Sequence, residues 1–283
     1  MATPKRLKKW PWYKPEHPCI MEYADEPRLL FTPLDEKDYS SFYSLEMDGF
    51  ADDAPFYTSL LHKEDRVLEL GCGTGRLTRL LAQSCGHITG IDCSLEMLRL
   101  ASHEKHDNVV YRHMDMLDLS FPSPFDTIII PYNTLNLLKT RERVEKCLHL
   151  CRECLKKKGI LAMQLHMPDP ATRAADETRK VFQFAVFDDK NNGKVIKETL
   201  KCFHEPSATL DLEERYRIRP AVGSTKKNRD LRHVLKLYTP EFRSWKTILQ
   251  ECGFSIHETM GNPMGKTFCS DNDTSLFIQA KKN

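Results

Sequence analysis

The residues best suited to chemistry lie in one short run, Val67-Leu68-Glu69-Leu70-Gly71-Cys72-Gly73-Thr74-Gly75-Arg76. An apolar stretch ends in three alternating glycines and leads into a helical pattern. Gly71, Gly73 and Gly75 let the backbone turn sharply and approach a ligand with no Cβ in the way. Two phosphate-binding patterns compete for such a loop. The dinucleotide fingerprint G-x-G-x-x-G/A fails because Arg76 stands at its third position, and a G-x-x-x-x-G-K-[ST] loop fails for want of the lysine. Glu69 also sets a carboxylate at the strand end, where it repels a pyrophosphate and suits an ammonium or sulfonium charge.

Two further carboxylates follow in order. Asp92 ends the next strand, 21 residues after Gly71, the place for an acceptor of hydrogen bonds from a ribose diol. Asp115 follows the third strand in Met114-Asp115-Met116-Leu117. There it can accept from an adenine amino group while Met116 covers the ring. S-adenosylmethionine (SAM) carries all of these groups and no phosphate. Taken singly, the glycines read as a structural turn and each aspartate as a loop or helix cap. Taken in order on successive strand ends, they read as one site.

The elements that must position these residues alternate. Strands are expected at 66–70, 87–91, 109–113, 125–131 and 160–166. Helices are expected from the glycine loop to Ser84, over 94–105 with Ser94 as N-cap, and over 140–157 closed by Gly159. Three consecutive isoleucines mark 125–131 as buried on both faces. Such alternation means a parallel sheet with helices on both sides. Upstream, 39–62 reads as helical, with Tyr39, Phe42, Tyr43 and Met47 on one face. Residues 180–237 break the pattern. Phe182, Phe184 and Val186 alternate, Asn192-Gly193 is a hairpin signal, and Leu210–Ile218 and Leu231–Leu237 continue with period 2. This is an antiparallel insertion. Thr239-Pro240 then starts a helix that Gly253 closes, and strands at 254–259 and 275–280 finish the chain.

With those elements placed, the chain resembles the class I SAM-dependent methyltransferases. The carrying segments are Glu69 to Gly75, Gly90-Ile-Asp-Cys-Ser-Leu-Glu-Met97, His113-Met-Asp-Met-Leu-Asp118 and Phe125 to Asn133. Phe42-Tyr-Ser-Leu-Glu46, Asp53-Ala-Pro-Phe-Tyr57 and Leu237 to Arg243 are similar to a bacterial small-molecule subgroup. The resemblance implies a Rossmann-like, seven-stranded, mostly parallel α/β sheet of order 3-2-1-4-5-7-6 with an inserted antiparallel β lobe for substrate. It divides the chain into a basic, proline-rich arm (1–38), a SAM-binding core (39–170), the insertion (171–238) and a completion of the core (239–283). It implies that Glu69, Gly71, Cys72, Gly73 and Gly75 hold the methionyl end and that Tyr43 closes over it. Asp92 takes the ribose, Cys93 and Met97 border the adenine, Asp115 and Met116 take its amine and ring, and Pro131 and Tyr132 line the sulfonium side. S-adenosylhomocysteine (SAH) is the implied product, and no metal is expected.

Methyl transfer from a sulfonium is an in-line displacement that needs alignment of the acceptor, and a base only if the acceptor is protonated at attack. His166, ending the fifth strand, is the candidate base or orienting group, with Tyr132 and Asn133 at the end of the fourth. A histidine capping a strand edge is the alternative. Arg215 and Arg217, on one face of a lobe strand with Arg219, are candidates for reading an anionic acceptor; a solvated face is the alternative. The expected reaction methylates an N or O atom of a small molecule. The alternatives are an RNA or protein methyltransferase of the same fold and a SAM-binding module without catalysis. An NAD-dependent dehydrogenase stands behind them because of Arg76 and Glu69.

Cys147-x3-Cys151-x2-Cys154 imitates the spacing of a cluster-binding radical enzyme. Its i, i+4, i+7 spacing alongside Val144, Leu148 and Leu155 instead predicts an inward-facing helical stripe. Across the 283 residues the formal charge is only +2, so the broad positive field of a nucleic-acid binder is missing. A local excess of +4 sits in residues 1–18, beside Trp10, Trp12 and Tyr13. No apolar run reaches about 18 residues, no secretory pattern opens the chain, and the ten cysteines fit reduced thiols. The expectation is a cytoplasmic protein, away from membranes, acting as a monomer or homodimer.

Overall fold

The computed structural model describes residues 31–174, 181–189 and 193–283. The described chain enters through a two-residue strand, β1 (Thr32–Pro33), and helix α1 (Glu36–Glu46), capped by Asp35, whose carboxylate accepts from Asp38 N at 2.7 Å. The single upstream helix expected over 39–62 is two. Gly49, at φ +68°, ends the first segment, and α2 (Ala54–Thr58) restarts with Pro55 in its first turn. Strand–helix alternation then runs through β2 (Arg66–Leu70), α3 (Arg76–Leu81), β3 (His87–Asp92), α4 (Leu95–Ala101), β4 (Val109–His113) and β5 (Phe125–Ile130). It continues with α5 (Arg141–Cys154), β6 (Leu155–His166) and a short α6 (Pro170–Ala174). Ser94 and Thr140 are N-caps: their hydroxyls accept from Met97 N and Arg143 N.

Helix α5 is shorter than its sequence pattern suggested. It stops at Cys154, because Lys156-Lys157-Lys158 offers nothing to its buried stripe. The chain passes directly into β6 through a bulge, with Lys158 at φ +63°. The stripe itself is Val144, Cys147, Leu148, Cys151 and Cys154, all buried in the main core. The three cysteines are therefore packing residues, in line with the stripe reading.

The lobe consists of β7 (Val181–Asp189), β8 (Gly193–His204), β9 (Thr209–Arg219) and β10 (Arg229–Tyr238), antiparallel in sequence order, with β1 added parallel to β10. Asn192, the first residue of the expected hairpin signal, lies outside the described residues, as do residues 1–30. Gly193 has φ +80°. Helix α7 (Phe242–Glu251) then leads to β11 (Phe254–Met260) and β12 (Ser275–Lys282). Its N-cap is Glu241 rather than Thr239. Thr239 is held back because its N–H donates to Ala208 O at 2.7 Å. Gly253, at φ +81°, closes the helix as expected.

The large sheet has the order β11-β12-β6-β5-β2-β3-β4, with β12 antiparallel to both neighbours. This is the 3-2-1-4-5-7-6 order of the implied fold. Apolar clusters fill both faces. One holds α5, α7 and the Trp245 ring; the other holds α2 and α3. Helix α1 packs instead on the lobe, where Phe42 stacks on Tyr216 with ring centroids 5.0 Å apart. The carboxyl ends of β2, β3, β5 and β6 thus face one side of the lobe, with α1 between.

Candidate functional site

The loop between β2 and α3 has Gly71, Gly73 and Gly75 all at positive φ, +66°, +53° and +74°. They are glycines for different reasons. A Cβ on Gly71 would sit 2.4 Å from Thr134 Cγ2, and one on Gly75 would sit 2.3 Å from the Tyr111 hydroxyl. Those two positions are closed by the protein's own packing. A Cβ on Gly73 would meet only the Tyr43 ring, at 3.5 Å, and Gly73 itself lines the cavity that opens above the loop. Of the three, Gly73 is the one whose missing side chain leaves room for a ligand.

Asp92 holds the loop from the next strand. Its two oxygens accept from Gly73 N and Ser94 N, both at 2.8 Å. Four lone-pair directions exist on a carboxylate, so acceptor capacity remains toward the cavity. Burial raises its pKa, opposed by those backbone donors. Cys93, Met97, Met114 and Met116 wall the cavity beside it, and Asp115 lines it with a carboxylate steadied by Leu117 N at 2.8 Å. Glu69 is placed differently from its expected contact with a ligand. It lies beneath the loop, off the cavity wall, accepting from the Thr78 hydroxyl at 2.6 Å. Burial pushes its carboxyl up to about 7, against the opposing pull of Thr78 and Arg76. Arg76 grips Asp53 through two bonds of 2.7 Å, tying the start of α3 to the start of α2. That pairing gives the departure from the dinucleotide fingerprint a structural use.

This geometry has a counterpart in known proteins. A family model described as "Methyltransferase domain" matches residues 67–159, the segment that carries the loop, Asp92 and Asp115. Residues 67–159 thus form a SAM-dependent methyltransferase domain of the class I fold. The chain is similar to the putative methyltransferase YqeM of Bacillus subtilis, 26% identical over 79% of this chain and 86% of that one. In fold it is similar to SAM-bound CalS10, an amino pentose methyltransferase from Micromonospora echinaspora, with TM-score 0.68, 19% identity, and 89% and 99% of the two chains covered. It is also similar to the sugar N-methyltransferase KedS8 from Streptoalloteichus, with TM-score 0.69, 17% identity, and 92% and 99% covered. SAM is the methyltransferase's cofactor, and the cradle above Gly73 fits a ligand of that kind.

The cavity continues past the end of β5. Tyr132 and Asn133 take φ of +50° and +64°, a conformation that costs a non-glycine residue about 1 kcal/mol or more. The turn is fastened by Asn133 N donating to Gln164 O at 3.2 Å. Both side chains reach the cavity wall, and Tyr43 and Tyr132 meet edge to face at 6.3 Å. His166 lines the cavity at the end of β6, buried, with Nε2 lacking a hydrogen-bond partner among the described residues. Burial, reinforced by nearby Lys201, drives its pKa down to about 3, so the imidazole is neutral at physiological pH. Asn136 holds its backbone: the amide oxygen accepts from His166 N at 2.9 Å, and the amide nitrogen donates to Tyr238 O at 2.7 Å. One buried side chain thus fastens the end of β6 to the end of β10.

Pro131, Cys72 and Gly75 are off the cavity wall. Cys72 instead packs where a Cβ on Gly90 would stand, at 2.9 Å. Arg215 and Arg217 are a clear correction. The cavity face of β9 carries Leu212 and Glu214, so the odd-numbered residues point away. Arg215 bonds Glu213, Arg217 bonds Glu198 at 2.8 Å, and the Phe31 ring covers both guanidiniums. Strand alternation put them on one face correctly, but it could not tell which face meets the site. The residues that do meet it went unnoticed. Lys197 joins Glu46 of α1, at 2.8 Å, to Glu214 of β9, at 2.6 Å. Burial opposes its charge, but the two carboxylates hold it above the ordinary lysine range. Lys197, Thr199 and Lys201 share the cavity face of β8. In sequence their period-2 spacing was indistinguishable from a solvated face.

Proposed function

We propose that this methyltransferase methylates an N or O atom of a small molecule held between the strand ends and the antiparallel lobe. The observation that carries this reading is the cavity. It measures about 410 Å³, starts at the glycine loop, and is roofed by α1 and the inner face of the lobe. That volume falls in the usual range for small-ligand pockets, and a roofed site disfavours a nucleic-acid strand or a folded protein. The sugar-methylating names of two fold neighbours support the same class.

When bound, SAM supplies an electrophilic methyl group on a sulfonium. The chain's own residues would do the rest. Gly73 leaves space for the methionyl arm, and Tyr43 covers it from α1. Asp92 accepts from the ribose hydroxyls, Asp115 from the adenine amine, and Met97 and Met116 flank the ring. Glu69 acts from beneath the loop. Its carboxyl, raised to about 7 by burial, ionises more readily beside a positive charge. On the acceptor side, Tyr132 and Asn133 frame the approach. His166 orients the acceptor through its unpartnered ring nitrogen. A pKa near 3 makes it a hydrogen-bonding group rather than a store for a proton.

Incubating the protein with methyl-labelled SAM and cell extract, then separating metabolite, RNA and protein fractions, tests the reading. Label in the metabolite fraction is expected. Label in RNA or protein would overturn the small-molecule acceptor, and label in none would favour a binding module. Once an acceptor is found, His166→Ala should lower kcat/KM at least about ten-fold, the worth of one well-placed hydrogen bond; unchanged turnover would remove His166 from the site.

A further inference from the structure

Lys201 lies on β8 opposite Leu212 of β9, lines the cavity, and is only 5% exposed. Lys197, on the same face, has two carboxylate partners. Lys201 has none within hydrogen-bonding or ion-pair distance among the described residues. Asp169 is the acid that acts on it through space, but it forms no ion pair with Lys201, and its two oxygens accept instead from the Thr172 N–H and hydroxyl at 2.8 Å each. His166 beside it is neutral and offers no counter-charge. A lysine is almost never buried without a partner, and removing a charge from water without one is costly. The partner is therefore expected to arrive with a ligand. Burial pushes the ammonium below its ordinary pKa, which an arriving anion would reverse.

We infer that Lys201 anchors an acid group on the methyl acceptor, so that the substrate is a small molecule bearing a carboxylate or a phosphate ester as well as its nucleophilic N or O. This rests on the small-molecule reading above and narrows it. It also moves anion recognition from the outer face of the lobe, where Arg215 and Arg217 are already paired, to the inner one.

The test is calorimetric titration of SAH-saturated protein with acetate and with inorganic phosphate, for the wild type, Lys201→Met and Lys201→Arg. At least one anion should bind the wild type. Acetate would indicate a carboxylate and phosphate a phosphate ester. Lys201→Met should weaken that binding at least about ten-fold, as expected for one charge-assisted hydrogen bond, and Lys201→Arg should retain it. SAH affinity should stay within about two-fold throughout. The ligand-free Lys201→Met protein should melt higher than wild type, because a buried charge without a partner has been removed. Four results would overturn the inference: no anion bound by the wild type, equal binding by Lys201→Met, a Lys201→Met protein that melts lower or fails to fold, or lost SAH affinity, which would assign Lys201 to the cofactor's own carboxylate. Label appearing in RNA or protein would refute the small-molecule reading separately, since the anion titration needs no acceptor.

Discussion

Replacing Gly71 and Gly73 by alanine should have different consequences, although both glycines have left-handed backbone. At Gly71 two costs combine. An alanine at φ +66° loses about 1–2 kcal/mol. Its Cβ would also lie 2.4 Å from Thr134 Cγ2 and 2.9 Å from Thr134 Oγ1, an overlap of the kind that costs about 1–3 kcal/mol in a packed interior. Gly71→Ala should therefore destabilise by about 2–5 kcal/mol, a large part of a typical folding free energy. At Gly73 the nearest protein atom is 3.5 Å away, so only the backbone cost applies, about 1–2 kcal/mol. There the new methyl enters the cavity and should cut SAH affinity about ten-fold or more. The assay is urea unfolding followed by the Trp245 core fluorescence and by circular dichroism, with calorimetric SAH titration alongside. Thr134→Ala closes the cycle. Combined with Gly71→Ala it should recover about 1–3 kcal/mol, the steric part, leaving the backbone cost. Additivity of the two substitutions to within about 0.5 kcal/mol would refute the packing argument. So would a Gly73→Ala protein as unstable as Gly71→Ala but with unchanged SAH affinity.

Three further outcomes are expected. Asp92→Ala should weaken SAH binding about ten-fold or more by calorimetry, because it removes the proposed ribose acceptor and frees Gly73 N from its 2.8 Å bond; unchanged affinity would remove Asp92 from the site. Glu69 is raised by burial from 4.5 to about 7. Between those values the folded protein keeps a proton that the unfolded chain has released, so ligand-free stability falls as pH rises through about 7, by up to about 3 kcal/mol. Glu69→Gln should flatten that slope in urea unfolding at about pH 5 and pH 8, and an identical slope in both proteins would contradict the burial argument. Arg217→Ala should lower stability by about 1 kcal/mol, from lost pairing with Glu198, and leave acceptor kcat/KM within about two-fold; a ten-fold rise in KM would return Arg217 to the substrate site.

Much of the fold was legible because its signals are local. The near-continuous apolar runs at Arg66–Leu70 and Phe125–Ile130, the Ser94 and Thr140 caps, and the Gly253 stop each act within a few residues. Where the reading slipped, at the break between α1 and α2 and the early end of α5, a competing local feature decided the outcome: Gly49 with Pro55, and the Lys156-Lys157-Lys158 run with nothing to bury.

The sequence by itself determined the strand-end half of the cavity. Gly73, Asp92 and Asp115 stand at the ends of consecutive parallel strands, and in such a sheet the chain order of strand ends is also their order along the crevice. The half of the cavity that faces the lobe was decided only by tertiary structure. Lys197, Glu214, Glu46 and Lys201 come from a helix and two lobe strands that meet through long-range packing. A strand pattern of period 2 does not reveal which of its two faces will be turned toward the core. That choice was made when Phe42 of α1 docked on Tyr216 and Asn136 tied the end of β6 to the end of β10. Together these contacts turned one face of the lobe over the strand ends and left the arginines on the other.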